Sequence, residues 1–599
     1  MTLPIVFVLS LIAIASALLI SDRLRPDLMA LLLLIILGLT GLVPAKDLFS
    51  GFSRSAVITI MALFIITGGL EQTGATRILG KQLSRLAGDS EGRAVTVVMV
   101  ATAALSLMMN TIAAAAVLMP PVIGMTRQST VRPSKLLMPL AFGALLGGMA
   151  TLYTTSNILV STALVDSGFK PFGVLEFAPV GLPMAAAGIA FMVLVGRRWL
   201  PTSGLGGQPD ELPRQSRTLS EAYGLRDTVH AVYVKPGSVL AGLSLANGGW
   251  GGKLGLTVVA ISRGGAIHLA PPPTEEVIEG DVVLFTGNTD DEEMRRYGLL
   301  LTDDPAWNGK FASSNVSLVE VVLHPRSSLA GKTLREILFR EKHQLSVLAI
   351  WREGITIREG LGDIPLRFGD ALLMQGPRAR IKLLRADPEF LVLDEDTAAV
   401  ETPRKAWMAV ALTTAAVVLP AANILPIAEA AFAAACLMVL LNCLTMDEAY
   451  NAIEWKTVFL VAGMIPLGLA MNSTGTAALI GNGLVKLLGG LGPLAVAGGV
   501  YLLAMLLTQV MSGQATAIVL APIAIAAAHS VGADPRGVAL TVAMGCSTAF
   551  LTPFGHPANM LVMGPGGYKV KDYTRIGVPL TAIMFVVLLA GLFLFWNIR

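Results

Sequence analysis

The sequence predicts a polytopic α-helical membrane protein with two inverted repeats, each holding a re-entrant hairpin and a broken helix, plus a soluble α+β insert of two tandem modules. Three observations lead there. Of the 599 residues, 54% are hydrophobic and only 14% charged, whereas soluble domains carry about a quarter charged residues. Charge-free stretches of span length fall into two sets on either side of a charged block, 201–401. Polar motifs recur between the two sets in the same order. The net charge of +3 is small and dispersed, which excludes an electrostatic footprint for nucleic acid. Cys436, Cys443 and Cys546 lie in apolar runs without metal-ligand spacing, so neither a disulfide framework nor a structural zinc site is expected.

A span needs about 20 mostly apolar residues. The first set of runs is Met1–Ser21, Leu28–Ala45, Ser55–Leu70, Ala94–Thr126, Leu136–Val165 and Phe177–Gly196. The second is Ala406–Ala428, Ala430–Met446, Thr457–Val485, Leu487–Ala533, Gly537–Tyr568 and Ile576–Ile598. The first run has no Lys or Arg ahead of it and is followed by Arg23 and Arg25, the reverse of a cleaved signal peptide. It reads as a retained helix with its N-terminus outside.

The sets are related by duplication. Thr151-Leu-Tyr-Thr-Thr-Ser-Asn157 corresponds to Thr552-Pro-Phe-Gly-His-Pro-Ala-Asn559, and Val180-Gly-Leu-Pro183 to Ile576-Gly-Val-Pro579. Asn157 and Asn559 are 402 positions apart, as are Pro120 and Pro522. Each set also holds one run too long for a straight crossing: Ala94–Thr126 would extend about 50 Å. Polar breaks at Asn110-Thr111 and at Ser512-Gly513-Gln514 divide these runs into arms of re-entrant length. Hairpin tips at that depth must be buried in protein or line a cavity, so they mark a site. With each hairpin counted as no crossing, every half has an odd number of crossings, so the repeats are inverted and both termini lie outside if the insert is cytoplasmic. Membrane-domain Lys and Arg divide seventeen to six in favour of the expected inside loops.

Inverted repeats with discontinuous helices are the architecture of secondary transporters. The polar groups at the breaks are Asn110, Thr111, Thr154, Thr155, Ser156 and Asn157 in one half, with Ser512, Gln514, Thr516, Thr552, His556 and Asn559 in the other. Amides, hydroxyls and helix ends can hold an oxyanion without a fixed positive charge, and they equally supply oxygen ligands to Na+. Taken singly, such residues also serve as hydrogen-bonding glue between helices. No Asp, Glu, Lys or Arg lies deep inside a span, so a carboxylate proton relay is not expected, and His556 is the one titratable group at a break.

The insert is itself duplicated. Val232-Tyr-Val-Lys-Pro-Gly-Ser238 through Gly280-Asp281-Val-Val-Leu returns as Val319-Glu-Val-Val-Leu through Gly369-Asp370-Ala-Leu-Leu. Alternating β-branched runs predict short strands, with one helix around Lys332–Glu341. The Ser-x-Leu-x-Gly and Gly-Asp-x-Leu pattern resembles the TrkA C-terminal (RCK C-terminal) domain. That likeness implies dimerisation and a small regulatory ligand, against a purely structural role.

The membrane halves resemble the divalent anion:sodium symporter family of the ion transporter superfamily, over nearly their whole length. Carried over onto Asn110-Thr111, Ser512-Gly513-Gln514, Thr154-Thr155-Ser156-Asn157 and Gly555-His556-Pro557-Ala558-Asn559, the resemblance implies bound anion and Na+, with Na+ near Asn110, Asn157, Ser512 and Asn559. It further implies a homodimer with elevator movement. The chain departs from the family pattern at Met109, Gly513 and His556, and its first loop lacks the usual Gly. The expected protein is therefore a secondary transporter, not an enzyme, with no cofactor beyond Na+ as coupling ion. It would carry sulfate or a C4-type dicarboxylate across a bacterial inner membrane, in contact with lipid. Its domains are expected at 1–200 and 402–599 for the membrane repeats, and 201–310 and 311–401 for the modules. A ligand-gated channel or sensor and an arsenite-type efflux carrier are the alternative readings.

Overall fold

The computed structural model describes residues 2–21, 24–75, 90–128, 131–201, 229–251, 254–287, 290–302, 311–313, 315–323, 327–352, 355–384, 389–393 and 403–599, with 86, 88, 223, 225 and 387. Several positively charged residues of the expected inside loops (Arg23, Arg77, Lys81 and Arg85) and the junctions 202–222 and 394–402 fall outside the described residues.

The first half folds into α1 (Leu3–Ser21), α2 (Pro26–Leu39), α3 (Ser55–Gln72), α4 (Glu91–Ser106), α5 (Thr111–Gln128), α6 (Pro133–Gly148), α7 (Thr155–Asp166) and α8 (Ala178–Trp199). The second supplies α9 (Pro403–Ala421), α10 (Ile427–Leu440), α11 (Trp455–Thr474), α12 (Thr476–Leu488), α13 (Pro493–Thr508), α14 (Gly513–Val531), α15 (Pro535–Ser547), α16 (Pro557–Gly566) and α17 (Val570–Phe595). Local chemistry sets many of these starts. Proline occupies the first turn of α6, α13, α15 and α16, where its missing N–H costs nothing. Asp534 caps α15 by accepting from Arg536 N, and Ser512 caps α14 by accepting from Ala515 N.

Among the described residues, α3, α8, α11, α14 and α17 are long and apolar enough to cross a membrane. Two expected runs are divided differently. Thr457–Val485 is interrupted at Gly475, giving α11 and the separate amphipathic α12, and Leu28–Ala45 yields a helix of only 14 residues, α2. A 14-residue helix spans about 21 Å.

The helices gather into two bundles. In the first, α2 packs on α11, α3 on α10, and α9 on α10. In the second, α4 and α5 pack on α6, α13 and α14 pack on α15, and α8 packs on α17. Within the second bundle the halves interlock: α7 lies against α14 and α15, and α16 against α5 and α6. Edge-on contact of Phe142 with Phe550, ring centroids 4.9 Å apart, fills that junction. The bundles meet where α11 packs on α14 and α3 on α7. There Arg54 Nη2 lies 2.8 Å from Asp166 Oδ1, and Tyr153 donates to Ala416 O at 2.7 Å.

Between the halves lie two five-stranded antiparallel sheets. The first, β1–β5, has order β3-β2-β4-β1-β5 (β1 Val229–Val234, β2 Thr257–Arg263, β3 Ala266–Leu269, β4 Val282–Thr286, β5 Leu299–Thr302). The second has order β10-β6-β9-β7-β8 (β6 Val316–Leu323, β7 Ser346–Arg352, β8 Ile355–Ile357, β9 Ala371–Pro377, β10 Phe390–Val392). Their correspondence extends to one ion pair each: Arg263 clamps Asp281 and Arg352 clamps Asp370, both carboxylates 1% exposed. Each aspartate also accepts a backbone N–H three residues upstream, which closes the Gly-Asp turn. The helix expected around Lys332–Glu341 is confined to Phe339–His343, because Leu338 adopts a left-handed conformation that stops it extending backwards.

Candidate functional site

The two helical interruptions in each half carry the polar residues singled out by sequence. In the first half the hairpin α4–α5 turns through Leu107–Asn110, and the broken helix α6–α7 is unwound over 149–154. Asn110 Oδ1 accepts from Ile112 N at 2.8 Å and so starts α5. Thr154 donates to Gly148 O at 2.6 Å, and Thr151 donates to Leu107 O at 3.1 Å, tying the unwound segment to the hairpin. A β-carbon placed on Gly148 would sit 2.9 Å from Thr154 Oγ1, 3.1 Å from Thr111 Oγ1 and 3.6 Å from Ser106 Oγ. Three hydroxyls therefore converge on a position only glycine leaves open.

Asn157 is completely buried. Its amide nitrogen donates to Gly148 O at 3.2 Å and to Thr151 O at 2.7 Å, while its Oδ1 is buried without a hydrogen-bond partner. Thr155 and Ser156 are buried beside it in the first turn of α7.

The second half repeats the arrangement with different side chains. The hairpin α13–α14 turns through Gln509–Ser512, and α15–α16 is broken over 548–556, which holds one 3-10 turn, Pro553–Gly555. Gln509 donates to Thr548 O at 3.2 Å and accepts from Thr552 Oγ1 at 3.5 Å, again tying hairpin to break. Gly555 leaves room for Gln509, whose Oε1 would be 2.9 Å from an added β-carbon. His556 Nδ1 accepts from Ala558 N at 3.2 Å, so its tautomer places the ring proton on Nε2. Asn559, also completely buried, donates to Ala549 O at 2.6 Å and to Thr552 O at 3.5 Å, and its Oδ1 too has no partner.

Several expectations need correcting in detail. Asn157 and Asn559 were expected in loops, but each is the third residue of a half-helix, reaching back to the unwound carbonyls. Thr154 and His556 sit at the N-caps with extended backbone, so each half-helix begins at the residue after them. Likewise Ser512 is the N-cap of α14, so Gly513 and Gln514 belong to its first turn and the turn itself lies at Gln509–Ser512. Thr516 is fully buried and donates to Ser512 O within α14, a bond that uses its hydroxyl proton and leaves its oxygen lone pairs.

Each half thus unites its hairpin tip with its own break, and packing of α7 on α14 and α16 on α5 joins the two clusters. Sequence reasoning missed Ser106, Thr151 and Gln509. The signal for one existed: Ser106 and Thr508 are 402 positions apart and end equivalent helices.

Four helices begin at these points (α5, α7, α14 and α16) and four end there (α4, α6, α13 and α15). Helix N-termini carry about +0.5 of an elementary charge and favour anions, while terminal carbonyls favour cations. Among the described residues no group of three His, Cys, Asp or Glu could hold a metal ion. A hard cation would rely instead on amide, hydroxyl and carbonyl oxygens, and the two orphaned Oδ1 atoms fit that role.

Residues 16–545 match the family model described as CitMHS, citrate transporter. The uncharacterized transporter YfbS of Escherichia coli (strain K12) is 33% identical over 97% of this chain and 98% of its own length. An uncharacterized transporter of Synechocystis sp. is also 33% identical, over 96% of this chain and 94% of its own. The probable sodium/sulfate cotransporter 3 of Chlamydomonas reinhardtii is 22% identical over 90% of this chain and 82% of its own. Since the match runs through the first helical half, both sheets and most of the second half, the chain belongs to the CitMHS citrate transporter family and is a membrane transporter, not an enzyme.

Proposed function

We propose that this chain is a Na+-coupled secondary carrier of a small divalent anion, sulfate or a C4-type dicarboxylate. The observation that carries the reading is the pair of buried asparagines, Asn157 and Asn559, each with an unpartnered Oδ1 beside an unwound segment and a hairpin tip. Leaving a buried acceptor unpaired costs about 1–3 kcal/mol, so a retained pair of such atoms suits a ligand that completes them. A Na+ ion at each would be held by Oδ1 with neighbouring hydroxyls and carbonyls: Thr111 and Thr154 in one half, Ser512 and Thr552 in the other. The dianion would be met by the N-termini of α5, α7, α14 and α16, with His556 Nε2–H as a neutral donor. The name borne by the Chlamydomonas relative supports Na+ and sulfate as the first ions to try.

In this reading the hairpins are re-entrant, the repeats are inverted in a bacterial inner membrane, and the second bundle moves against the first in a homodimer. Both termini lie outside and the two sheets lie in the cytoplasm as TrkA C-terminal-like modules. Uptake of labelled sulfate and succinate into proteoliposomes, with Na+, K+ or H+ gradients imposed separately, tests it. Saturable, Na+-driven uptake is expected. Nonsaturating current in planar bilayers would refute a carrier.

A further inference from the structure

The second module does not stand apart from the helices. Its Gly-Asp turn, Arg367–Asp370, lies directly on α16, the half-helix capped by His556 and carrying Asn559 in its first turn. The contact is backbone on backbone. A β-carbon on Gly564 would overlap the Gly369 carbonyl, and one on Gly369 would come 2.9 Å from Met560 O and 3.7 Å from Met563 Cβ. Glycine at both positions is what permits this approach. The turn is also stiff, because Asp370 accepts from Arg367 N at 2.8 Å while Arg352 clamps its carboxylate.

The duplicated module supplies an internal comparison. Its equivalent residue, Gly280, has nearly the same backbone (φ +90° against +88°) and the same Arg–Asp clamp, yet nothing approaches within 4 Å of a β-carbon placed there. Turn geometry alone therefore does not explain the docking of Gly369.

The chain that leads into the insert is fixed to the same bundle. Lys135 of α6 donates to Arg197 O and Leu200 O, and Ser134 donates to Pro201 O, which fixes the chain where it leaves α8. Tyr568, just past α16, bonds Ser134 O and Met138 N on α6. The ends of both broken helices remote from the site, α6 and α16, are thus braced together, with α6 held to the end of α8 and α16 to the insert.

We infer that the second module regulates the transport site, its Gly369 turn acting as a brake that holds the remote end of α16 against the insert. This rests on the carrier reading, in which α16 moves with the second bundle. A hydrated module seated on that end opposes its withdrawal into hydrocarbon. Releasing the turn frees the half-helix that carries Asn559.

Gly564→Ala tests this cleanly, since alanine is the better helix former and harms only the contact. Gly369→Ala should act the same way, while Gly280→Ala places the same backbone strain in a turn that touches nothing and serves as the control. In the full chain in proteoliposomes, Gly564→Ala and Gly369→Ala should each raise maximal uptake roughly 5-fold or more, the lower end of ordinary coupling between sites. Amide hydrogen exchange over 557–566 should rise by a similar factor, about 5-fold. The double variant should match either single one, because both remove one contact. The brake is overturned if Gly564→Ala and Gly280→Ala give equal uptake and exchange, or if the two α16-contact substitutions add. Should no dianion be taken up by the unaltered protein, the carrier reading falls, and the exchange data still decide whether the turn grips α16.

Discussion

Replacing Asn559 with alanine removes two hydrogen bonds, to Ala549 O at 2.6 Å and Thr552 O at 3.5 Å, from a residue with no solvent exposure. The 3.5 Å bond is weak, so the substantive loss is one buried carbonyl left unpaired, together with the Oδ1 that no protein group satisfies. An orphaned buried group costs about 1–3 kcal/mol. At 1.4 kcal/mol per decade, that predicts roughly 5- to 150-fold weaker apparent affinity where the asparagine organises a ligand. Asn157→Ala removes the bonds at 2.7 and 3.2 Å and should behave alike. If Oδ1 binds the coupling ion, the Na+ concentration for half-maximal uptake rises more than the Km for sulfate. Uptake into proteoliposomes at varied Na+ and varied sulfate separates the two. Lys486→Ala, at the end of α12, should change neither constant. Folded Asn157→Ala and Asn559→Ala proteins that both retain normal Km and Na+ dependence would refute the reasoning and leave these residues as helix packing.

Three further outcomes are expected. Reporter fusions after Pro201 and after Arg599 should lie on opposite sides of the membrane; both in the cytoplasm would break the inverted-repeat reading. Arg54→Met leaves Asp166, whose side chain is only 11% exposed, without its ion-pair partner where the bundles meet. Thermal unfolding in detergent should show a loss of about 1–3 kcal/mol, largely restored by adding Asp166→Asn, and equal losses in both would dismiss the pair. The second module should weaken in acid. Burial pushes His343 below its ordinary value despite nearby Asp387, so its protonation penalises the folded module as pH falls below about 6.5. Burial would raise Glu389, but the bonds from Ser327 and Ser328 outweigh it and hold its carboxyl low, so that stabilisation is lost at still lower pH as the folded group protonates. Hydrogen-exchange protection over 316–392 that stays constant from pH 7 to 5 would contradict the His343 assignment, and protection that stays constant as pH falls below about 4.5 would contradict that of Glu389.

Much of this protein is legible in the chain because membrane burial leaves a one-dimensional trace. A helix in hydrocarbon must satisfy its backbone internally, so spans show as charge-free runs, and duplication shows as a fixed offset that pairs Asn157 with Asn559. The strand order of the insert was not legible, though its runs and turns were, because antiparallel pairing depends on contacts distant in sequence. Tertiary structure alone decided the rest. It moved both asparagines from loops onto half-helices, since the residue at which a helix starts, here just after Thr154 and His556 in extended backbone, is a matter of backbone angles that residue type only biases. It brought Gln509 to Thr548 and Thr552, a meeting of segments about 40 residues apart that no periodicity encodes. Above all it seated Gly369 on Gly564 and left Gly280 open, though both turns have the same local sequence signature. What separates them is which surface each turn meets, and that is settled only when the whole chain has packed.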